Sequence, residues 1–106
     1  MYHHAVHITG RKIRFALVGC GRISKNHVAA IAQHAERCEL VAVCDVDPAA
    51  RDAAAAETGA RPFSSLTEML AQSDADAFIL ATPSGLHADQ AIQIAAAGRH
   101  IITEKP

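Results

Sequence analysis

Five short strand-like runs recur along the chain, and a segment with helical spacing follows each of the first four. The runs are IRFALVG (13–19), ELVAVCD (39–45), RPFSS (61–65), DAFILAT (76–82) and HIITEK (100–105). Between them, 22–36, 47–59, 65–72 and 87–98 read as helices. Strict alternation of this kind builds βαβ units, because a strand can rejoin a parallel neighbour only by a crossover. Right-handed crossovers and sequential pairing then predict an α/β fold, a doubly wound parallel sheet with strand order 3-2-1-4-5. Within the runs at 13–19, 39–45 and 76–82, residues 15–18, 40–44 and 77–81 are consecutively apolar, the pattern of strands buried in a sheet.

Helix punctuation supports the same division. Asp47 suits an N-cap, Pro48 the first turn and Gly59 a C-terminal stop, while Gly98 closes the helix over 87–98. Ser65 and Glu68 have capping-box spacing, and Ser65 and Thr67 read as capping residues. Pro62 weakens the third strand. On the first helix Ile23, His27, Ala30, Ile31 and His34 share a face, which makes His27 a packed, hydrogen-bonded histidine.

The chain has 106 residues, enough for one modest core, placed at 12–106 after a disordered leader over 1–11. Half of it is hydrophobic but only 4% aromatic, which suits close packing of alanine-rich helices on a sheet. With 10 basic and 11 acidic residues and no basic run, a nucleic-acid or membrane-surface role has no support. No apolar stretch is long enough to span a bilayer, and MYHHAVHITGRK has no apolar signal core. His3, His4 and His7 lack a carboxylate or cysteine partner nearby for metal binding. Cys20, Cys38 and Cys44 form no C-x-x-C pair and read as reduced thiols of a cytoplasmic protein, Cys20 as a small filler.

In a doubly wound sheet, ligands bind at the carboxyl ends of the strands where the order reverses, which here is Gly19-Cys20-Gly21. Gly19 permits a tight turn. Gly21, without a Cβ, lets a pyrophosphate approach the backbone, and the helix that follows offers N–H groups and a positive dipole end. The third small residue of the Rossmann fingerprint falls at Ser24, where Gly or Ala is usual. Asp45 ends the second strand 24 residues past Gly21, placed to accept hydrogen bonds from the adenosine ribose. Its charge repels a 2′-phosphate, so NAD is favoured over NADP; Arg51 is the one nearby cation that argues the other way.

Together, Gly19-x-Gly21 with His27, Asp45, ATPSGLH (81–87) and EKP (104–106) resemble the Gfo/Idh/MocA oxidoreductases, from Lys12 to Pro106. The fuller wording is similar to the WlbA-type members, which oxidise the 3-hydroxyl of UDP-N-acetylglucosaminuronic acid with NAD in bacterial surface-polysaccharide synthesis. The resemblance implies a Rossmann domain whose pyrophosphate loop is Gly19, Gly21, Arg22 and Ile23. It makes Asp45 the ribose ligand, and puts Thr82, Pro83, Ser84, Leu86, His87 and Glu104 against the cofactor. Lys105 becomes the catalytic residue beside the hydride-transfer centre, and a nucleotide sugar the substrate of the full-length protein. His87 has a plainer alternative, tying down its own loop. Family members continue into a substrate domain, so the chain is expected to be truncated after Glu104-Lys105-Pro106, with that second domain absent, and to be inactive alone. A non-catalytic NAD-binding module is the alternative. The uncovered edge of the last strand is expected to invite self-association.

Overall fold

A computed structural model of the chain describes residues 10–21 and 24–103. Its elements follow the predicted order: β1 (Ile13–Val18), α1 (Ser24–Gln33), β2 (Cys38–Cys44), α2 (Pro48–Thr58), β3 (Arg61–Phe63), α3 (Leu66–Gln72), β4 (Ala77–Leu80), α4 (His87–Ala96) and β5 (His100–Thr103). A 3-10 turn, Ser84–Leu86, leads into α4. The strands form one sheet in the order β3-β2-β1-β4-β5, all parallel. The structure therefore has the doubly wound topology read from the sequence.

Alternation within the apolar strands divides the core. Ala16, Val18, Ala42, Cys44, Phe78 and Leu80 face one side, where Leu66 and Met69 of α3 and Ile94 of α4 cover them. Leu17, Val43 and Ile79 face the other, against Val28 and Ile31 of α1 and Ala50, Ala54 and Ala55 of α2. Period-two geometry converts each uninterrupted apolar run into two buried surfaces. The α3/α4 side holds the bulk, with Phe78, Met69, Leu80 and Ile94 all at 1% exposure or less.

Local signals behave as the chemistry of caps requires. The Asp47 carboxylate accepts from Ala49 N, Pro48 opens α2, and Gly59 N–H donates to Ala55 O at its end. Ser65 Oγ accepts from Glu68 N. Three expectations change. β3 ends at Phe63 and Pro62 sits within it, which an edge strand tolerates because one side of its backbone needs no partner. Thr67 is no cap: its Oγ1 accepts from Gln93 Nε2 and joins α3 to α4. Ala30 and His34 are exposed, because the buried stripe of α1 runs through Ser24, Val28 and Ile31 instead. Of the leader expected over 1–11, residues 1–9 lie outside the described residues. Arg11 is held by a bidentate pair with the Asp76 carboxylate at 2.7 and 2.8 Å.

Candidate functional site

β1 is the central strand, flanked by β2 and β4, so its carboxyl end is the point where strand order reverses. There the chain turns through Gly19 at φ +98°. A Cβ at Gly19 would stand 2.9 Å from the backbone carbon and oxygen of Ala81 and 3.0 Å from Thr82 Cγ2. The first glycine thus serves both the turn and the close passage of the chain leaving β4. Gly21 differs: a Cβ there would meet nothing within 4 Å, and the residue is exposed. Its bare backbone faces open space, as the approach of a ligand phosphate requires.

Ser24 opens α1 almost fully buried. Its hydroxyl donates to Gly21 O, and its N–H reaches the same oxygen at 3.1 Å. That bond satisfies the hydroxyl and explains how serine stands where Gly or Ala is usual. Cys20 is also buried, its N–H donating to Asp45 Oδ2 at 2.8 Å. Burial, reinforced by the Asp45 charge, raises the Cys20 thiol to about 11, and the same causes raise Cys44 to about 11. Both are protonated fillers at neutral pH, as expected of Cys20.

Asp45 follows β2 directly and does more than the sequence predicted. While Oδ2 takes the Cys20 N–H, Oδ1 accepts from Asp47 N at 2.9 Å. One carboxylate therefore ties the glycine turn to the start of α2. It is only partly buried, and each oxygen keeps a second lone pair for a ribose hydroxyl. Arg51 lies close by: its guanidinium is 3.5 Å from Asp45 O, with Nε 3.5 Å from Asp52.

The second wall is the loop after β4. Thr82 Oγ1 contacts Gln90 Oε1, and His87 Nε2–H donates to Thr82 O at 2.7 Å, which fixes that tautomer by the partner it meets. His87 ties down its own loop, the plainer of its two readings. Pro83 is exposed and Leu86 is half exposed at the same end of the sheet. Gly19, Gly21, Asp45, Thr82, Pro83, Leu86 and His87 thus belong to segments that meet beyond the carboxyl ends of β1, β2 and β4. The side chain of Ser84 is outside what is described, as are Arg22, Ile23, Glu104 and Lys105. Among the described residues no group of His, Cys, Asp and Glu is placed to hold a metal ion, and no helix is long and apolar enough to cross a membrane.

Residues 13–106 match the family model described as "Oxidoreductase family, NAD-binding Rossmann fold" (GFO_IDH_MocA). The chain belongs to the Gfo/Idh/MocA oxidoreductase family, as its NAD-binding Rossmann domain. The WlbA dehydrogenase from Bordetella pertussis, solved with NADH and UDP-GlcNAcA, is 69% identical with a TM-score of 0.92, over 94% of this chain and 29% of that one. The WlbA dehydrogenase from Chromobacterium violaceum, solved with the same two ligands, is 64% identical with a TM-score of 0.92, over 93% of this chain and 29% of that one. Inositol 2-dehydrogenase of Rhizobium meliloti is 40% identical over 89% of this chain and 28% of its own length. The chain therefore spans under a third of these relatives. The open space at Gly21 and the carboxylate at the end of β2 fit the dinucleotide that the family binds.

Proposed function

We propose that the chain is the cofactor-binding part of an NAD-dependent dehydrogenase that oxidises a ring hydroxyl, at C3, of a UDP-N-acetylglucosaminuronic acid-type substrate. The observation that carries this reading is the identity of 64% and 69% to two dehydrogenases solved with NADH and UDP-GlcNAcA, against 40% to an inositol dehydrogenase. The setting that goes with it is the bacterial cytoplasm, in surface-polysaccharide synthesis. Three free cysteines at 20, 38 and 44 suit a reducing compartment.

In this reading the backbone of Gly21, with Arg22 and Ile23, receives the pyrophosphate, and the Asp45 carboxylate accepts from the adenosine ribose hydroxyls. Thr82, Pro83, Ser84, Leu86, His87 and Glu104 border the nicotinamide half. Bound NAD supplies the hydride acceptor. Lys105 holds the substrate hydroxyl and its proton, as base or as orienting donor. The carboxylate at Asp45 opposes a 2′-phosphate, so NAD is preferred to NADP.

Calorimetric titration of the chain with each coenzyme tests the cofactor assignment. NAD should bind more tightly, and stronger binding of NADP would remove Asp45 from ribose recognition. The chain alone should form no NADH with the sugar nucleotide, because more than two thirds of each relative lies outside the matched region. With this sequence joined to a relative's substrate domain, Lys105→Met should lower kcat about 100-fold with NAD affinity unchanged. A kcat within a few-fold of the parent would take Lys105 out of the mechanism.

A further inference from the structure

We infer that Asp45 positions the phosphate loop as well as recognising ribose, so that the two halves of adenosine-diphosphate binding depend on one side chain. The inference rests on the dinucleotide reading above and adds to it.

Its basis is the pair of bonds from Cys20 N to Oδ2 at 2.8 Å and from Asp47 N to Oδ1 at 2.9 Å. The Cys20 amide lies between the two glycines, in the segment with the greatest backbone freedom of the site. On the Gly19 side, that segment is pinned by Gly19 N to Cys44 O at 2.8 Å and by contact with Ala81. On the Gly21 side, the Ser24 hydroxyl holds Gly21 O. Between them, the Cys20 N–H is held only by the Asp45 carboxylate among the described contacts. The thiol reaches Cys44 O at 3.5 Å, a weak restraint on the peptide plane. An ionised acceptor makes the Cys20 bond the stronger kind. It fixes the orientation of the Gly19–Cys20 peptide, one residue before Gly21, and so the course on which the chain carries the Gly21 backbone toward a phosphate. Asp47 N, held by the other oxygen, sets the first turn of α2, where Arg51 stands.

A ribose ligand and a loop anchor predict opposite signs in one experiment. The probes are ADP and 2′,3′-dideoxy-ADP, which lacks both hydroxyls that Asp45 would receive. Removing the carboxylate also removes a negative charge near the diphosphate, which by itself tightens the dideoxy ligand. If Asp45 anchors the loop, Asp45→Ala and Asp45→Asn weaken dideoxy-ADP instead, Ala by about fivefold and Asn by less, since one amide oxygen can keep one bond. Unchanged or tighter dideoxy-ADP binding, with ADP weakened, would overturn the anchor and leave the ribose assignment standing. Amide hydrogen exchange of the ligand-free chain is the second measurement. Cys20 N–H should exchange about tenfold faster in Asp45→Ala, with exchange in β4 unaltered. An unaltered Cys20 rate would also overturn the proposal. If the parent chain bound neither nucleotide, the dinucleotide reading would fail while the exchange rates still decided the anchor.

Discussion

The two ends of the sheet are each held by an aspartate, and the two are built for different purposes. At the amino end Asp76 accepts from both terminal nitrogens of Arg11 and from Arg14 N, and its carboxyl is pulled down to about 2, first by the Arg11 hydrogen bond. Arg99 works at the same end, donating to Leu70 O in α3 and to Ser73 O and Ala75 O just after it, and stacking over Phe78. At the carboxyl end Asp45 accepts only backbone N–H groups, with no side-chain cation bonded to its carboxylate among the described contacts. One end is cross-braced by guanidinium groups. The other holds its loops by backbone bonds and keeps acceptor capacity for a ligand. A binding site needs fixed geometry without saturated partners, and a staple needs saturation.

Glycine substitutions should separate the ends most sharply. Gly19→Ala puts a methyl group 2.9 Å from the Ala81 backbone at φ +98°, and neither atom can give way without moving β4. It should cost about 3 kcal/mol or more, read as a fall in the urea midpoint. Gly98, before β5 at the amino end, has φ +75° but open space around it. Gly98→Ala should therefore cost only about 1 kcal/mol. Equal costs would show that crowding at the carboxyl end carries nothing.

Arg99→Met should cost about 1–2 kcal/mol by freeing three carbonyls and removing the guanidinium from over the Phe78 ring. A loss under about 0.5 kcal/mol would show that water replaces the guanidinium without penalty. The pH limbs should come from different ends. Asp76 has its carboxyl depressed from 3.8 to about 2, so its contribution is intact above pH 3.8 and is lost as pH falls toward 2. Cys20 and Cys44 are raised from 9.0 to about 11, so the folded state holds protons that the unfolded chain releases, and stability falls between those values. Thermal melts should show Asp76→Asn flattening the acid limb and Cys44→Ala the alkaline one. An alkaline limb untouched by Cys44→Ala would remove that thiol from the balance. The smallest effect concerns the β5 edge, where Ile102 is 40% exposed and no strand lies beyond among the described residues. Ile102→Lys should reduce self-association in light scattering with little change in melting temperature. A parent chain monomeric at high concentration would remove the edge as an association surface.

The sequence by itself determined the order and type of the five strands and four α-helices, because strands alternating with helices admit few packings. It also located the glycine turn and the aspartate after β2, since both are local signals at fixed spacing. It could not show that Gly19 serves the close passage of Ala81, that Thr67 bridges to Gln93, or that Arg99 binds carbonyls at the end of α3 and just after it, more than twenty residues earlier. Nor could it show that the Asp45 carboxylate is divided between the glycine turn and α2. Each of these joins residues far apart in the chain, or orients a side chain among several nearby donors. Periodicity fixes which face of an element is buried, but only the packed fold decides which polar groups meet there, because each buried donor or acceptor must be paired with whatever the topology brings within reach.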